Sequence, residues 1–227
     1  MKHQWFKQDG GEELVLFFSG WGTDACHAGR LFRDSLDDGF GGDMLAFYDY
    51  TALTPDIDLQ PELSLYRRIT LIAWSFGVWA ARAVPLPPIA AAVALNGTLF
   101  PVDRHRGIDP EIFQATHDGY GEDGRRRFER RMCGGTEVLS RFSECPSTRT
   151  TEDQKNELSS LQCLFSGPVL QPGWEYDHAF IGGRDAIFPA ARQDAAWDAT
   201  PRTLIAAMPH YPFFHCRTIR EVTAWQA

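Results

Sequence analysis

Apolar residues in this chain fall into short, separated runs. Residues 14–18, 43–48, 68–74 and 89–95 are each apolar over most of their length. Runs of that kind, without polar alternation, predict strands covered on both faces, which is the environment of a parallel sheet. Between the third and fourth runs, residues 76–84 are apolar nearly all round and are stopped by Pro85. That pattern predicts a buried helix joining two parallel strands, a βαβ unit. Downstream, residues 178–181 and 203–207 predict two further strands, residues 190–199 the helix between them, and residues 219–225 a last helix. Strand–helix–strand order at both ends implies an α/β fold built on a doubly wound, mostly parallel sheet.

The middle of the chain breaks this pattern. From about residue 107 to 165 there is no strong strand run, and Arg, Glu, Ser and Thr are frequent. Residues 125–132 and 151–165 read as helices. A polar helical block between sheet strands is expected to be a lid beside the site, inserted in one domain spanning residues 1–227. At 227 residues the chain suits one generous domain and is short for two.

Composition narrows the function. The formal net charge of −8 disfavours nucleic acid and anionic membranes as partners. No apolar run approaches the roughly 18 residues of a membrane span, and the first eight residues carry no signal-peptide pattern. The five cysteines are odd in number and lack C-x-x-C spacing, so neither a disulfide framework nor a zinc site is expected. A reducing cytoplasm is the expected compartment. There is no phosphate-cradling glycine loop, no H-E-x-x-H, and no histidine pair at ligand spacing. No cofactor or metal is expected.

The candidate chemistry lies where the predicted strands end, since open parallel sheets bind ligands off their carboxyl edge. Ala73-Trp74-Ser75-Phe76-Gly77 is a G-x-S-x-G nucleophile elbow with alanine in first place, between a predicted strand and a buried helix. A helix N-cap would also favour serine there. Asp185 follows the 178–181 strand and suits the acid of a Ser-His-Asp triad, although Asp177 at the start of that strand is a second candidate. His210 follows the last strand and suits the base, with His215 as a rival. The order Ser75, Asp185, His210 is that of α/β-hydrolases. Gly20-Trp21-Gly22 follows the first strand, so the Trp21 and Phe76 amides are candidates for an oxyanion hole. On the expected lid, Arg125, Arg126, Arg127, Arg130 and Arg131 reverse the overall charge locally. They suit either a solvated helix face or the docking of an acidic partner.

The segments LVLFFSGWGTDA, LSLYRRITLIAWSFGVWAA, ALNGTLFPVDRHRGIDP, RRRFERRMCG and AAMPHYPFFH resemble the BioG-type pimeloyl-[acyl-carrier protein] methyl ester esterases of biotin synthesis. The resemblance runs from Leu14 to His215 and is weakest between Leu139 and Asp177. It implies an α/β-hydrolase that releases methanol from a carrier-bound ester. Within it, Ser75 is the nucleophile, His210 the base, Asp185 the acid, and the Trp21 and Phe76 amides the oxyanion hole. It also implies that the basic helix docks an acyl carrier protein. A monomer is expected. An apolar tunnel lined by Trp74, Phe76, Phe113 and Phe128 would carry the acyl chain. A thioesterase or short-chain carboxylesterase on the same fold, and a non-catalytic carrier-binding scaffold, remain the alternatives.

Overall fold

The computed structural model describes residues 1–167 and 173–226. Among these, seven strands are β1 (Lys2–Lys7), β2 (Glu13–Phe18), β3 (Asp43–Tyr48), β4 (Arg68–Trp74), β5 (Ala91–Leu95), β6 (His178–Gly182) and β7 (Arg202–Ile205). They form one sheet in the order β1-β3-β2-β4-β5-β6-β7. All neighbouring pairs are parallel except β1 with β3. This is the mostly parallel, doubly wound sheet that the apolar runs predict. The antiparallel edge β1 was not expected, because KHQWFK alternates weakly and reads as polar.

Helices α1 (Cys26–Asp37), α2 (Leu59–Leu63), α3 (Phe76–Arg82), α8 (Ala190–Ala196) and α9 (Ile219–Thr223) follow strands or lead into them. Four more, α4 (Pro110–Asp118), α5 (Glu122–Cys133), α6 (Thr136–Ser143) and α7 (Thr151–Leu164), lie between β5 and β6. Strands β2, β4, β5 and β6 are buried along almost their whole length, as central parallel strands must be. The last strand departs from that expectation. Three of its four residues are exposed, with Leu204 at 62%, because β7 is the sheet edge.

The chain leaves β2 for β3 on one side, then returns to place β4 on the other side of β2. The connections after β2 and β4 therefore part company, and a crevice opens at their carboxyl ends. No helix among the described residues is long and apolar enough to cross a membrane.

The cysteine expectation needs correction. Cys26, at the start of α1, and Cys145, just past α6, are joined as a disulfide with Cα atoms 5.6 Å apart. Their separation of 119 residues carries no spacing signal. Only the packing of α6 over α1 brings them together. Cys133 and Cys216 are free and buried, and burial pushes both thiols up to about 12.

Candidate active site

Ser75 stands between β4 and α3 with φ +59° and ψ −127°, a left-handed conformation that non-glycine residues rarely adopt. Its neighbours explain how the turn is held. A Cβ on Gly77 would lie 2.4 Å from the Phe18 carbonyl oxygen, and one on Gly97 would lie 2.3 Å from the carbonyl oxygen of Ser75 itself. Both positions must be glycine for the turn to pack this tightly against β2 and the end of β5. The Ser75 amide donates to Leu95 O at 3.0 Å.

The Ser75 hydroxyl lies 3.0 Å from His210 Nε2, and His210 Nδ1 lies 2.9 Å from Asp185 Oδ2. All three residues are buried. Asp185 is fully engaged: Oδ1 accepts the Ile187 and Phe188 amides, each at 2.8 Å, and Oδ2 also accepts Gln193 Nε2 at 3.0 Å. The competing assignments separate cleanly. Asp177 accepts the Ala92 amide at the far end of β5, and the His215 ring packs beside Phe214. Among the described residues, neither side chain hydrogen-bonds to Ser75 or His210.

The backbone behind His210 is fixed by two groups that sequence reasoning missed in this role. Asn96 Nδ2 donates to the carbonyls of Pro209 and His210, while its Oδ1 accepts the Gly182 amide at 2.6 Å. Trp74 Nε1 also donates to His210 O, at 3.0 Å. Asn96 has φ +46°, a conformation in which asparagine is enriched, and the Asn96-Gly97 pair closing β5 was the available signal. Gln193, inside α8, gave none.

Trp21, on the β2–α1 turn, and Phe76, at the first position of α3 next to the serine, line one pocket with Ser75. Neither main-chain N–H has a hydrogen-bond partner among the described residues. Above Ser75, Phe76, Phe113, Phe128, Leu158 and Ile187 wall an apolar pocket of about 20 Å³, room for about one water molecule. Admitting an ester therefore requires wall side chains such as Phe113, Phe128 or Arg131 to give way. Trp74 is not part of this wall. It is 1% exposed and packs beneath the site against Tyr211 and Phe213, because the strand pleat turns it away from the serine.

The pocket shares Thr116, Phe128 and Arg131 with a groove of about 510 Å³ between α4 and α5. The five arginines of α5 divide. Arg125 is turned inward, bonded to Glu129 at 2.9 Å and to Arg149 O at 3.2 Å. Arg131 lies over the Phe128 ring and borders both cavities. Arg126, Arg127 and Arg130 are exposed, and Arg126 pairs with Asp123.

A family model described as pimeloyl-ACP methyl esterase BioG matches residues 1–225. A crystal structure of BioG from Haemophilus influenzae superposes with a TM-score of 0.86 at 32% identity, covering 98% of this chain and 99% of that one. A malonyl-[acyl-carrier protein] O-methyltransferase of Bacteroides fragilis (strain 638R) is 39% identical over 191 residues, which is 82% of this chain and 36% of that protein. The chain thus spans about a third of that relative's length. An esterase from Exiguobacterium antarcticum shares the fold, with a TM-score of 0.69 at 12% identity over 95% of this chain and 90% of the other. The sheet is that of an α/β-hydrolase, and the chain belongs to the BioG family.

Proposed function

We propose that this protein is a serine carboxylesterase that hydrolyses the methyl ester of pimeloyl-[acyl-carrier protein], giving methanol and the free distal carboxylate in biotin synthesis. The observation that carries the reading is the unbroken hydrogen-bond chain from Asp185 through His210 to Ser75, beneath an apolar pocket. Ser75 Oγ attacks the ester carbonyl while His210 Nε2 takes its proton. The oxyanion accepts from the Trp21 and Phe76 amides. Collapse expels methanol, protonated by His210, and leaves an acyl-enzyme. Water, deprotonated by His210, then attacks the acyl-enzyme, and Ser75 regains its proton on release.

Selectivity for the distal ester over the carrier thioester follows from distance. A carrier docked on Arg126, Arg127 and Arg130 would thread its acyl chain through the α4–α5 groove, so only the far end reaches Ser75. Acyl carrier proteins are acidic, which gives the exposed arginines a complementary partner. A relative named for methylating malonyl-[acyl-carrier protein] fits an ester that is made on the carrier and later removed there.

Product analysis tests the reading. Incubation with the methyl ester of pimeloyl-carrier should release methanol and leave the carrier thioester intact, and Ser75→Ala should abolish the release. Free carrier thiol without methanol would make the protein a thioesterase instead.

A further inference from the structure

Residues 145–157, leading into and through α7, grip the turn after β2 at several points. Gly20 O accepts Thr23 Oγ1 at 2.7 Å, which fixes the peptide carrying the Trp21 N–H. In the next peptide, the Gly22 amide donates to Glu157 Oε2 at 3.1 Å. In the one after, Gly22 O accepts Gln154 Nε2 at 2.6 Å. The Trp21 indole N–H donates to Gln154 O at 2.8 Å. Three successive peptide planes and the indole are thus held, and the last two planes and the indole are held by α7. Gly22, at φ +75°, permits the bend.

Glu157 is wholly buried. Its other oxygen accepts the Tyr50 amide at 2.8 Å, and Arg149 Nη1 meets Oε2 at 2.5 Å. A buried carboxylate is costly, and an apolar replacement of the pair is often as stable or more so. Here the carboxylate ties the Gly22 and Tyr50 amides to one point, which fixes the geometry of the turn. The reaction steps above use neither Glu157 nor Gln154.

We propose that Glu157 and Gln154, with Arg149 neutralising the carboxylate, are positioning residues that aim the Trp21 amide at the developing oxyanion. This inference rests on the serine-esterase reading. It makes α7 part of the machinery for transition-state stabilisation, beyond any role as a cover. Removing an oxyanion-hole donor outright costs roughly 10²–10³ in kcat, which bounds the effect of misaiming one.

The test uses the full chain, a p-nitrophenyl butyrate assay and a short alkylboronic acid, which mimics the tetrahedral adduct on Ser75. Glu157→Gln keeps the shape and removes the charge. Gln154→Met keeps the volume and removes the bonds to Gly22 O and the Tyr120 hydroxyl, and Tyr120→Phe alongside isolates the second loss. Each should lower kcat by at least about tenfold with KM within about twofold. Boronate affinity should fall by the same factor as kcat, and the midpoint of the kcat/KM–pH profile should not move. General loosening of the fold would not produce that pattern. If Glu157→Gln does not fold, Gln154→Met decides alone. Folded variants with kcat and boronate affinity within twofold of the parent would overturn the inference while Ser75-dependent turnover stands. Parent turnover that survives Ser75→Ala would overturn the esterase reading and this inference with it.

Discussion

Helices α5 and α7 both lie between β5 and β6 and both carry charge, yet the charge meets opposite environments. On α5, Arg126, Arg127 and Arg130 point to solvent, and the Arg126–Asp123 pair is exposed on both sides, at 56% and 78%. At α7, Glu157 is fully buried and its partner Arg149 is 6% exposed at the side chain. Exposed pairs are screened by water and contribute little to stability. A buried pair has given up its hydration, so losing one partner strands the other. One helix therefore leaves its charge in solvent, while the other uses charge to hold the loop that lines the pocket with Ser75.

The contrast is sharpest for the same substitution at two arginines. Arg149→Met should destabilise the protein by about 3–5 kcal/mol, since it leaves the Glu157 carboxylate buried with only backbone donors. Arg126→Met should change stability by less than about 0.5 kcal/mol. Urea denaturation of both variants reads the difference. Equal and small effects would mean that the α7 pair is not the buried, committed contact described here.

The contact between α1 and α6 supplies a second test. His27 on α1 is buried, stacked on Phe142 of α6 at 4.8 Å, with Nδ1 3.1 Å from the Tyr211 hydroxyl. Burial lowers its pKa to about 3. Above pH 6.5 the ring is neutral whether the chain is folded or not. Below that, the unfolded chain takes up a proton that the folded one refuses, so stability falls as pH drops from 6.5 toward 3. By pH 5 the loss from this residue is about 2 kcal/mol. His178 and His215 are also lowered by burial and add to the slope. Thermal melts at pH 7.5 and 5.0 should show a smaller drop for His27→Phe than for the parent.

The smallest effect concerns the outer face. Changing Arg126, Arg127 and Arg130 to Glu should raise KM for the carrier-bound ester by about tenfold, or about 1.4 kcal/mol. Turnover of a small free ester should not change, and the penalty should shrink as salt is raised. Equal loss on both substrates would remove the docking role from α5 and leave it a solvated face.

Much of the arrangement was legible in the chain. Short apolar runs mark β2, β3, β4, β5 and β6, because strands buried on both faces need little else. The elbow was legible because Ser75 sits between such a run and an apolar helix, and the close approaches at Gly77 leave no room for a side chain. Asp185 and His210 follow their own strands, and their separation of 25 residues places them on adjacent loops. Less was legible where the pattern is weak. The polar edge strand β1 gave no run strong enough to be read, and α1 and α6 went unread although their apolar residues recur at helical spacing, as at Ala28, Leu31, Phe32 and Leu36. Trp74 read as a tunnel residue because its hydrophobicity is visible in sequence while the side of the pleat it takes is not.

Local sequence therefore determined which segments become strands, where they stop, and which chemical groups stand at their ends. Periodicity and turn residues act over a few neighbours, and that is enough for those decisions. The tertiary structure alone decided which charges are buried and which histidine and aspartate meet the serine. It also decided that Cys26 meets Cys145, and that Glu157 reaches the Gly22 amide from 135 residues away. Contacts at that range leave no period in the chain, because they depend on how whole layers pack.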